Sequence, residues 1–124
     1  MLKGLGGNRM EKNKIRTQID QEVSEKIPFN CQKCIDQALE IIPEEHIIKL
    51  NSIIVSYSSK NLKGNLQNVR GLYYGKRTGV KEPYIHLFVK NILGNCPKWV
   101  MIFFPIVPRI FLSSVLFHEV GHHY

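Results

Sequence analysis

The chain closes on Ile110-Phe111-Leu112-Ser113-Ser114-Val115-Leu116-Phe117-His118-Glu119-Val120-Gly121-His122-His123-Tyr124, and this stretch decides the fold. Its apolar residues recur on nearly every side of a helix, the pattern of an element buried in a core. Pro108 suits the first turn of such a helix. The spacing therefore predicts a helix over 109–124, about 24 Å long at 1.5 Å per residue. Residues four apart on a helix lie one above the other on a single face. His118 and His122 can thus offer imidazole nitrogens to one ion at about 2.0–2.1 Å. Glu119 lies one step round, close to that ion without ligating it. A zinc ion lowers the pKa of the water it holds to about 7, and Glu119 is placed to take that proton and pass it to a leaving amine. Two histidines and a glutamate in a buried helix are costly unless paired or bound to metal. That cost argues against an accidental match. Val120 and Gly121 are uncharged, and Gly121 gives up about 1 kcal/mol of helix propensity. A small residue there suggests the close approach of another backbone.

The segment Val115-Leu116-Phe117-His118-Glu119-Val120-Gly121-His122 resembles the active-site helix of zincin-type metallopeptidases. Upstream, Arg70-Gly71-Leu72-Tyr73-Tyr74-Gly75 and Tyr84-Ile85-His86-Leu87-Phe88-Val89 resemble the strands before that helix in small gluzincin-like members such as the ImmA/IrrE-type peptidases. The resemblance spans roughly residues 47–124. It implies a zincin-like fold, Zn2+ as cofactor, and a peptide or protein substrate running along an edge strand that borders the cleft. It implies His118 and His122 as zinc ligands and Glu119 as general base for peptide-bond hydrolysis. The family's third ligand, an acid or histidine on a following helix, has no counterpart before Tyr124. The expectation is that a C-terminal part bearing it is missing, or that another chain supplies it. His123 departs from the family's apolar residue at this place, and it projects about 100° round the helix from His122. Cys96 and His86 are weaker upstream candidates.

Outward from this helix, residues 47–57 are β-branched and partly alternating, a strand strongest over 52–57. Residues 58–68 read as a loop, and two further strands at about 70–76 and 84–90 flank a Gly79/Pro83 turn, in hairpin order. A helix is expected over 31–42, with Ile35, Ala38, Leu39 and Ile42 inward and Pro43 ending it. Over 9–26, Ile15, Ile19 and Val23 recur every four residues, the stripe of a docking helix. Gly4, Gly6 and Gly7 mark a flexible end over 1–8. The order gives an α+β fold: N-terminal helices, a small three-stranded sheet with an edge strand, and a C-terminal active-site helix. Residues 1–28 form the flexible N-terminus and docking helix, and 29–124 the zincin-like domain. A length of 124 residues sets one domain, and 44% hydrophobic with 22% charged residues is ordinary for a globular chain.

The net charge of +7 is uneven. Residues 1–45 hold seven basic and eight acidic side chains, whereas 46–124 hold ten basic and two acidic, one of them Glu119. A basic body can attract nucleic acid. A solvated basic surface is the stronger of the two readings. Cys31, Cys34 and Cys96 form no disulfide framework. Cys31-Gln-Lys-Cys34 reads as two thiols on one helix face rather than half a second zinc site, with no partner pair at finger spacing. No apolar signal core opens the chain, and a reducing cytoplasm fits. Trp99 to Pro108 joined to 110–117 nears the length of a membrane span, as in site-2-type intramembrane proteases. Pro105, Pro108 and Arg109 interrupt it, so a membrane partner is not expected. The alternative to a peptidase is a non-enzymatic basic binding module on a decayed zincin fold.

Overall fold

The computed structural model describes residues 15–59, 62, 64–75, 79 and 81–124; the flexible end expected over 1–8 lies outside them. Strands Arg16–Ile19 (β1), Ser52–Ser56 (β2), Gly71–Tyr74 (β3) and Tyr84–Phe88 (β4) form one mixed sheet in the order β1-β2-β4-β3. β2 runs parallel to both β1 and β4, and β3 pairs antiparallel with β4. Alternation puts Ile53 and Val55 of β2 beside Ile85 and Leu87 of β4 on one face, all four fully buried. Five helices accompany the sheet: Gln21–Lys26 (α1), Cys31–Ile41 (α2), Val89–Leu93 (α3), Lys98–Phe103 (α4) and Ile106–His123 (α5). α5 packs across β3 and β4 and against α2 and α3. Leu112, Leu116 and Val120, four apart along it, enter the same core as Ile35, Ala38 and Leu39 of α2. The α+β class read from the sequence is the class observed.

Four expectations are corrected. The sheet has four strands, not three. The missing strand is β1, inside the region expected as one docking helix. Ile15 and Ile19 lie four apart, which is also twice the strand period, and Thr17 between them completes a β-branched alternation. Backbone N–H groups of Arg16 and Asp20 donate to the carbonyls of Asn51 and Val55 at 3.1 and 2.9 Å, fixing β1 beside β2. Helix begins only at Gln21, and Val23 and Ile27 then join the common core. Secondly, α5 starts three residues early, at Ile106; Pro108 still falls in its first turn, where a missing N–H costs nothing. Thirdly, α5 is buried on one side only. Ile106 and Ile110 remain 63% and 58% exposed, continuing an apolar surface from Trp99, Ile102 and Phe103 of α4. Fourthly, no backbone approaches Gly121: a Cβ added there meets open space.

α2 and the β3–β4 pair fall close to expectation, whereas α3 and α4 are additional helices, and α3 takes Val89 and Lys90 from the end of the expected strand. α2 starts at Asn30, whose side-chain oxygen accepts from the Lys33 N–H at 3.0 Å. That cap is worth about 1 kcal/mol. β3 and β4 form the expected antiparallel pair. The expected loop over 58–68 contains a 3-10 turn at Gly64–Asn68. Among the described residues no helix is long and apolar enough to cross a membrane.

Candidate metal centre

α5 carries Glu119 against β3 and the two motif histidines on its exposed surface beside it. His118 and His122 stand one turn apart, their Nε2 atoms 3.3 Å from each other and their rings nearly perpendicular, at 88°. Two nitrogens bound at about 2.0–2.1 Å to one tetrahedral ion must lie about 3.3–3.4 Å apart. The observed separation equals that spacing. Both imidazoles are exposed, whereas Glu119 between them is buried, at 6%. Among the described residues, these three are the one group of His, Cys, Asp or Glu whose donor atoms converge, all within 4.8 Å.

Gly71 explains how helix and strand come so close. A Cβ at Gly71 would lie 3.0 Å from Val115 Cγ1 and 3.1 Å from Glu119 Cγ. The absent side chain lets β3 lie directly against the helix turn that holds the glutamate. β3 is the outer strand of the sheet, so its far backbone edge pairs with no described strand. The two elements wall a cleft of about 1540 Å³, lined by Gly71, Leu72 and Tyr73 on one side and His118, Glu119 and His122 on the other.

The upstream candidates are not brought there. His86 faces away from Leu87 and the helix layer; its Nε2 lies 2.8 Å from Ser56 Oγ and its ring stacks on Phe88 at 4.3 Å. It is half-buried, and that burial lowers its pKa. Cys96 Sγ sits 3.9 Å from the Pro97 carbonyl, outside the converging group. His123 points elsewhere as well, to Tyr73 and Ile48. Neither Tyr73 nor Gly71 was singled out from the sequence as a site residue. The one signal was His123 itself, polar where the resembling family is apolar.

Cys31 and Cys34 are buried, unpaired thiols at the start of α2. Burial, with Cys34 beside it, pushes the Cys31 thiol up to about 12. Burial also raises Cys34, against the lowering influence of a Ser113 hydrogen bond and Arg109. Both are protonated core groups. At pH 8, iodoacetamide is expected to modify Cys96 in the folded chain and to reach Cys31 and Cys34 only after unfolding, read by peptide mass mapping. Rapid alkylation of Cys31 in the native protein would contradict this. The linkage has a definite sign. Folded Cys31 holds its proton above the pH at which the unfolded thiol loses it, so stability is intact below about pH 9. It declines as pH rises toward about 12. A urea midpoint that falls across that window, and falls less in Cys31→Ala, is the expected result.

No protein-family model, curated protein or solved structure matches the chain. What the described residues define is an α+β domain with a His-Glu-His group on its last helix, beside an outer strand.

Proposed function

We propose that this chain is a zincin-type metallopeptidase domain, with His118 and His122 as zinc ligands and Glu119 as general base. The observation that carries the reading is the 3.3 Å between the two Nε2 atoms, the spacing a tetrahedral ion requires. Zinc bound there supplies Lewis acidity for a peptide carbonyl and acidifies its water. The chain's own residues do the rest. Glu119, sheltered at the seam of α5 and β3, receives a proton at its carboxylate and returns it to the leaving nitrogen. The outer edge of β3 offers unpaired N–H and C=O groups to an extended peptide, which orients the scissile bond over the cleft. Among the described residues only the Glu119 carboxylate converges with the two histidines, so on this reading a third protein ligand other than that base would be supplied from outside them. The protonated core thiols suit a reducing, cytoplasmic setting.

The test is cobalt or zinc titration of the full chain. His118→Ala and His122→Ala are each expected to weaken binding at least about 100-fold, because each removes one of the two histidine ligands. His86→Ala is expected to bind as the wild type does. Equal affinity in all four proteins would dispose of the site.

A further inference from the structure

His123 follows the second proposed ligand, and both of its ring nitrogens are engaged far away in sequence. Nε2 lies 2.6 Å from the Ile48 carbonyl oxygen and Nδ1 lies 2.7 Å from the Tyr73 hydroxyl. A carbonyl can only accept, so Nε2 carries the hydrogen and donates to it. In the neutral ring Nδ1 is then an acceptor, and the Tyr73 O–H donates to it. One tautomer is thereby fixed. The ring also meets Tyr73 edge-on at 5.4 Å. Tyr73 takes this place beside a glycine: a Cβ at residue 75 would collide with the Tyr73 hydroxyl. Next along the chain, the Tyr124 ring packs on His46 with centroids 4.0 Å apart and planes tilted by 30°, a second tie between α5 and the 44–49 segment.

These ties act on the turn that carries His122, the residue immediately before His123. We propose that His123 is a positioning residue, a latch that clamps the last turn of α5 between Tyr73 of β3 and the Ile48 carbonyl, and so holds the His122 imidazole in register with His118. It touches no metal. This inference rests on the metal reading above and adds a role outside the motif to it.

The experiment compares the full wild-type chain with His123→Ala, His123→Gln and Tyr73→Phe, in two measurements. The first is cobalt titration followed by visible absorption. The second is hydrogen exchange of the backbone amides over 120–124. His123→Ala is expected to weaken cobalt binding about 10-fold, at the low end of what supporting partners of metal ligands contribute. Its cobalt spectrum keeps the wild-type shape, and exchange over the last turn quickens. Glutamine can donate to Ile48 and accept from Tyr73, so His123→Gln restores both readouts. Tyr73→Phe, which keeps the Ile48 bond, falls between. Wild-type affinity in His123→Ala overturns the latch while leaving the metal site standing. A changed spectrum that glutamine does not rescue overturns it too, by making His123 a ligand. Failure of the wild-type chain to bind cobalt overturns the metal reading itself, a result distinct from either.

Discussion

Glu119→Gln is expected to leave zinc binding within a factor of about two while lowering peptide hydrolysis about 10²–10⁴-fold, the usual share of a positioned general base. The two halves of this expectation come from different features of α5. Metal affinity, on the proposed reading, lies with the Nε2 pair of His118 and His122, 3.3 Å apart, and glutamine leaves that pair untouched. Hydrolysis needs a group that can hold a proton between attack and departure, and an amide cannot. Glutamine also preserves shape, which matters because Glu119 is 6% exposed and its Cγ has little room beside Gly71. Alanine would remove the base but leave a gap in the seam, mixing two effects. The measurement is turnover of a fluorogenic peptide by zinc-loaded protein, completed in its third ligand where that is needed, with metal content determined on the same sample. Unchanged turnover in the glutamine variant would remove Glu119 from the mechanism. Loss of zinc in that variant would instead make the carboxylate a ligand.

The convergence of the three motif side chains was more legible in the sequence than the sheet. His118, Glu119 and His122 converge through local helix geometry alone, with a repeat that any sixteen-residue apolar helix guarantees. The hairpin strands were legible for a similar reason: Tyr73 and Ile85 face each other across a local connection. β1 was not. Its pairing to β2 joins Arg16 to Ser52 through a crossover, and nothing local announces a parallel partner that far away. A spacing of four satisfied helix and strand alike, and only Thr17 between Ile15 and Ile19 favoured the strand. The neighbours that shape the site were hidden by the same non-locality. Gly71 reads as a strand's first residue until α5 is laid against it. His123 reads as a surplus histidine until Tyr73 and the Ile48 carbonyl appear beside it. Which side of α5 is covered was not legible, since its apolar residues recur on nearly every side.

Gly71→Val puts the contact between strand and helix to the test, and it is expected to destabilise the fold by about 2–3 kcal/mol, the upper part of the range for overpacking. Gly71 has no left-handed backbone to protect, so the argument is one of space. Even a single Cβ would sit 3.0 Å from Val115 Cγ1, 3.1 Å from Glu119 Cγ and 3.3 Å from Leu87 Cδ2. Valine adds two methyl groups beyond that point. The three neighbours differ in their freedom to yield. Leu87 is fully buried and locked among Ile53, Val55 and Ile85. Val115 is half-buried and can give slightly. Of the three, Glu119 is the one that lines the cleft, and its longer, flexible side chain is the one that will move. Valine's preference for strands over glycine offsets part of the cost, by less than about 1 kcal/mol. The functional consequence is therefore selective. Hydrolysis should fall further than zinc affinity, since the displaced group is the proposed base and the two imidazoles stand on the exposed side of the same turn. Gly121→Ala is the control: its Cβ meets open space, and the helix gains up to about 1 kcal/mol. Urea midpoints, zinc titration and peptide turnover on both variants decide the matter. Should Gly71→Val lose zinc in proportion to activity, α5 has moved as a whole, and the seam at Gly71 does not set Glu119 separately from its neighbouring histidines.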